Sequence, residues 1–132
     1  MEKITEDYVS FETAKLLEEK GYKGDFDGYY NNAGYEISRP NPNLKNYHYY
    51  KRPSLYCAMK WLRELHSIEN VIDVCKYGED KKTMYAWTPV VIKEDLLEYP
   101  VSQTYGSVFG GICETYREAA ENGIVYCLEN LI

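Results

Sequence analysis

Residues 53–66, PSLYCAMKWLRELH, restrict what this chain can fold into more than any other stretch. At ~100° per residue, Leu55, Ala58, Met59, Trp61, Leu62 and Leu65 fall within an arc of roughly 160°, with Tyr56, Lys60, Arg63 and Glu64 opposite. That stripe is too wide for a coiled-coil seam and belongs to a helix lying on a core. Pro53 suits the first turn, Ser54 is the competing N-cap, and His66 is favourable near the last carbonyls. Trp61 is expected at the centre of the core.

Two further helices follow from their end signals. Ser10 caps FETAKLLEEK; Glu12 complements its first turn, and Gly21 with Tyr22 supplies a Schellman ending. Thr115 and Glu118 form a capping box, after which Tyr116, Ala120, Gly123, Ile124, Cys127 and Leu131 share a face. The small residues Ala120, Gly123 and Cys127 predict close approach to a neighbouring element. Between the helices lie two hairpins. Asn32-Ala33-Gly34 is a three-residue loop joining strands near 26–31 and 35–38. A polar turn at 78–82 joins strands at 71–77 and 83–92, and Pro89 makes the second an edge or a bulge at that point. Asp73 is expected to face solvent. Residues 1–9 read as a loose lead-in and 39–53 as a long loop. Residues 94–98 read as a helical turn, 101–109 as a short strand, and Gly110 and Gly111 as a flexible approach to the last helix. The fold class is therefore α+β: one domain over 1–132, three helices near 10–21, 54–66 and 115–131, and an antiparallel sheet of about four strands in the order α-ββ-α-ββ-α.

Three segments, VSFETAKLLEEKGY (9–22), SLYCAMKWLRELHSI (54–68) and TYREAAENGIVYCLENLI (115–132), are together similar to a family of small uncharacterised proteins of anaerobic gut bacteria. That family is found in prophage and mobile-element regions, with the pattern VSFExAKLL, SLxxAxKWLRE and SYEEALEAGIxxALxLI. The resemblance covers the helices, and residues 69–112 depart from it. It is a packing signature, so it lends no catalytic residue. It implies an intracellular, prophage-derived accessory protein.

Chemistry-bearing patterns are few. Cys57 and His66 lie ~180° apart around one helix and ~13 Å apart along it, so they cannot form a dyad. Cys57, Cys75, Cys113 and Cys127 are spaced 18, 38 and 14 residues apart, without the close pairs of a zinc site, and read as reduced cytosolic thiols. GSVFGG (106–111) lacks the Lys and Ser/Thr of a P-loop. Asp25 and Asp27 read as solvated turn carboxylates. No cofactor or metal is expected, and the chain reads as a non-enzyme.

Charge narrows the partner classes. A net charge of −6 disfavours general nucleic-acid binding without excluding it, and no run of the sequence is long and apolar enough to span a membrane. The one basic-aromatic cluster is Lys45, Tyr47, His48, Tyr49, Tyr50, Lys51 and Arg52. Rings interleaved with cations suit single strands or an acidic partner. The fifteen tyrosines suit sheet packing and contact surfaces alike. The expected function is thus a cytoplasmic protein-interaction module presenting tyrosine-rich surface; the alternative is a nucleic-acid-associated accessory protein using residues 45–52. On either reading Lys45, Lys51 and Arg52 are exposed charges of little structural weight.

Overall fold

The computed structural model describes residues 7–43, 47–100 and 111–132. Three helices are present: α1 (Phe11–Glu19), α2 (Leu55–His66) and α3 (Tyr116–Asn130). Each starts at the residue whose side chain can accept from the first turn. The Ser10, Ser54 and Thr115 hydroxyls accept from the amides of Thr13, Cys57 and Glu118. At α2 Ser54 is the N-cap, and Pro53 lies just outside, fully buried. In α3 the Glu118 carboxylate accepts from the Thr115 hydroxyl at 3.1 Å, so the box closes side chain to side chain. α1 ends in the Schellman pair Gly21 N–H to Glu18 O and Tyr22 N–H to Leu17 O, with Gly21 at φ 79°.

The strands form two antiparallel sheets, not one. β1 (Tyr29–Tyr30) is flanked by β2 (Glu36–Ile37) and β3 (Tyr50–Lys51). The hairpin turns where expected, with Gly34 at φ 86°, but its strands are only two residues long. β3 comes from a stretch read as loop. The second sheet is built on a long hairpin, β4 (Ile68–Tyr77) and β5 (Lys82–Ile92), in continuous register from Ile68↔Val91 to Tyr77↔Lys82. On its other side β5 pairs at two separate heights, with β7 (Gly111–Cys113) at 85–87 and with β6 (Leu97–Glu98) at 91–92. Pro89 sits between those contacts, where among the described residues β5 has no second partner, so its missing N–H goes unneeded. β6 replaces the helical turn expected at 94–98. The region read as a flexible approach begins β7 at Gly111, where a Cβ would press on the Trp87 indole. The short strand expected at 101–109 lies outside the described residues.

One buried cluster joins all three helices to the sheets. Leu17 of α1, Leu62 of α2, and Ile124 and Leu128 of α3 are its fully buried large side chains, and Ile68 of β4 lies beneath them. A smaller cluster of Trp87, Cys113 and Ala119 seals β5 and β7 against α3. The lead-in is firmer than expected near its end. Val9 is fully buried, its N–H donates to Pro53 O, and Tyr8 bridges to Ser54. From α3, Arg117 donates to Tyr8 O, and Glu121 accepts from Ser10 N–H at 2.9 Å and the Thr13 hydroxyl at 2.5 Å. A carboxylate carried in from another helix thus caps α1 alongside its own serine.

Three expectations about burial change. Leu65 is 61% exposed although it lies on the apolar arc of α2. Trp61 is buried but stands at the edge of the core, braced by the rings of Tyr22 (5.1 Å) and His66 (4.7 Å). Tyr116 is exposed, and Ala119 and Leu128 take its place on the buried face of α3. Asp73 faces solvent as its pattern implies. Gly123 meets a side chain rather than a backbone. A Cβ there would fall inside the Asn70 amide, which donates to Ala120 O at 3.4 Å. Among the described residues no helix is long and apolar enough to cross a membrane.

Candidate functional site

The described part of the basic-aromatic stretch, residues 47–52, is tied into the small sheet, and its charges are engaged. His48 Nε2 lies 2.6 and 2.8 Å from the two Glu18 oxygens, and its backbone N–H donates to Asn32 Oδ1. Tyr50 packs on Phe11, Tyr49 on Tyr29, and Lys51 Nζ sits 5.3 Å over the Phe26 ring. Arg52 is the most committed: it stacks on Tyr8 at 4.0 Å, donates to Asp27 O and pairs with Glu36 at 3.1 Å. Its side chain is only 15% exposed, so the reading of Arg52 as a dispensable loop charge does not hold. Tyr47 is exposed; Lys45 lies outside the described residues. Five of the seven residues, His48 to Arg52, are thus placed in or beside β3, with His48, Tyr50 and Arg52 making one set of contacts and Tyr49 and Lys51 another. Three acidic residues, Glu18, Asp27 and Glu36, supply partners to the first set.

A second surface was not anticipated. Beyond Ile72 the β4–β5 hairpin outruns the helices that cover its near half. Val74 is 67% and Tyr77 59% exposed, with Val71 exposed on the opposite face from Val74. At the other end of β5, Ile92, Leu96, Leu97 and Tyr99 are also exposed. Among the described residues β4 pairs with β5 alone, which leaves a ten-residue edge. Glu69, Asp73 and Lys76 along it are the charges that keep such an edge from indiscriminate pairing. Near the tip, Lys82 bonds Glu114 at 2.7 Å. That bond holds the Glu114 carboxyl below the usual carboxylate range.

A third feature is a pocket of about 320 Å³ between α2 and the chain leaving α1. Cys57, Lys60, Trp61, Glu64 and Leu65 supply one wall, and Lys23, Gly24 and Asp25 the other. The α2 residues recur at i, i+3, i+4, i+7 and i+8, one helical stripe. The facing turn is folded down by Tyr22, whose hydroxyl donates to Asp25 O at 2.7 Å. Burial pushes the Tyr22 phenol well above its ordinary range, with Cys57 and Asp25 adding to the rise. Gly24 lies so close over that ring that a Cβ would collide with it. Trp61 Nε1 is buried without a hydrogen-bond partner among the described residues. The sequence pattern assigns Trp61 and Leu65 of this stripe to the core and Lys60 and Glu64 to the opposite side, so it does not mark the pocket.

Compared with known proteins, the chain matches no family model, no curated protein and no solved structure.

Proposed function

We propose that this chain is a non-enzymatic protein-interaction module that docks partners on the exposed part of its larger sheet. One observation carries the reading. Of thirteen exposed large apolar side chains among the described residues, seven fall between Val71 and Tyr99: on β4, at the end of β5, in β6 and in the residues that flank β6. Apolar side chains scattered singly need no explanation, whereas a concentration on one sheet supplies apolar area for a partner to cover. The unpaired β4 edge adds backbone donors and acceptors, the means by which an extended segment joins a sheet. The resemblance of the three helices would make this an accessory protein of prophage origin acting in the cytoplasm. A nucleic-acid role draws less support, because His48 and Arg52 face carboxylates and binding a phosphate backbone requires unspent cations.

Site-specific photo-crosslinking in cells tests the reading. A benzophenone side chain at 74, 77 or 97 is expected to yield discrete protein adducts, and one at the equally exposed Tyr35 or Tyr56 none. Equal adducts from both sets, or adducts only from position 47 that nuclease removes, would refute it.

A further inference from the structure

The pocket beside Trp61 carries a charge arrangement that its own structural role does not explain. Two cations, Lys23 and Lys60, and two carboxylates, Asp25 and Glu64, line one small cavity. Lys60 and Glu64 are one turn apart on α2, the spacing at which oppositely charged side chains commonly meet. Yet none of the four forms an ion pair with any described residue. The charges sum to zero, so the pocket has no net preference for an anion or a cation. It does offer both signs at once. Apart from Cys57 and Gly24, its remaining lining is apolar: the Trp61 indole, fixed by Tyr22 and His66, and Leu65, which stays exposed at the rim. At about 320 Å³ it lies at the small end of ligand cavities, which run from ~300 to ~1,000 Å³.

We propose that this pocket binds a small zwitterion with an apolar side chain, an amino-acid-like ammonium carboxylate. The lysines take the carboxylate, Asp25 and Glu64 take the ammonium, and the apolar group lies against Trp61 and Leu65. Gly24 keeps the opposite wall in place, since any side chain there would drive the turn off Tyr22. The site is separate from the exposed sheet and stands or falls independently of it.

Calorimetric titration of the full chain with L-leucine and L-phenylalanine tests this, beside the N-acetyl acids and the amino amides. The free amino acids are expected to bind, and removing either charge to weaken binding at least about tenfold. Lys60→Gln and Glu64→Gln should each do the same with unchanged melting temperature. Amide chemical shifts of the unaltered protein give a second readout and should move at 23–25 and 57–65. No binding into the millimolar range, equal binding of the N-acetyl acids, indifference to both substitutions, or shifts confined elsewhere would each overturn the proposal.

Discussion

The two halves of the β4–β5 hairpin share one hydrogen-bond register yet live in different solvents. In the near half Ile68, Asn70 and Ile72 of β4 and Trp87, Pro89 and Val91 of β5 point toward α2 and α3. In the far half Val74, Lys76 and Thr83 continue that same face into water. The helices stop short, but the ladder does not. A two-stranded ribbon is marginal by itself, so the far half is held by continuity with the near half and by β7 alongside residues 85–87. The exposed apolar side chains there, Val74 and Tyr77, do not serve the core, and the proposed docking role rests on that exposure.

The contrast breaks most sharply under truncation. Ile68→Ala should cost ~2–5 kcal/mol, as deletion of a buried aliphatic side chain does, because Ile68 is buried beneath the helices. Val74→Ala, on the same face of the same strand, should stay within ~0.5 kcal/mol. Urea melts of both decide it. Equal costs would mean the arm is structural and the docking reading loses its motive.

Next in size is the contact between Asn70 and α3. A Cβ at 123 would overlap the Asn70 amide, so Gly123→Ala should destabilise by ~1–3 kcal/mol, as overpacking does. Its higher helix propensity would otherwise stabilise by up to ~1 kcal/mol. Asn70→Ala removes the obstacle, and in that background Gly123→Ala should lose most of its cost. The coupling is read from a double-mutant cycle.

The elements that read correctly were those whose signals are local. Ser10, Ser54 and Thr115 define helix starts through bonds three residues away, and Gly21 and Gly34 define turns through their own φ. What failed depended on contacts distant in sequence. β3 forms because residues 50–51 meet β1, which no feature of 39–53 announces. Leu65 and Trp61 had the right period, but whether the last turn of α2 is covered depends on where the chain leaving α1 crosses it. The pocket is illegible for the same reason: its walls are Lys23–Asp25 and a helix more than thirty residues on. Arg52 was misread because its partners, Glu36, Asp27 and Tyr8, come from three other segments.

A smaller effect emerges only in alkali and belongs to the core side alone. Burial is the main cause that raises the Tyr22 and Tyr30 phenols above their ordinary range. The unfolded chain releases those protons near pH ~10 while the folded chain keeps them. The stability this confers is therefore complete below pH ~10 and falls as pH rises toward the folded values. Cys127, pushed up to about 12 by burial, adds a loss of the same sign from the ordinary thiol range upward. Denaturation midpoints measured across pH 9 to 11 should decline, and Tyr22→Phe should flatten the decline. An unchanged slope in that variant would assign the loss to other groups.

The four thiols offer the gentlest probe, since labelling them needs no change in the fold. Reaction with a neutral alkylating reagent requires access and a thiolate. Cys75 lies half-buried on the far half of β4, and Cys57 half-buried in the wall of the pocket. Cys113 and Cys127 are buried, and Cys127 is further disarmed because burial pushes its thiol pKa up to about 12. Cys75 and Cys57 should therefore react in the native protein, and Cys127 only when the molecule opens globally. Small additions of urea sharpen the distinction. The Cys127 rate should climb with the unfolding equilibrium, whereas the Cys75 rate should stay flat, because exposure of the arm needs no opening. Cys75→Ser should change stability by no more than ~0.5 kcal/mol. Parallel urea dependence at positions 75 and 127 would show that arm and core open as one unit and that the arm's exposure is not its resting state.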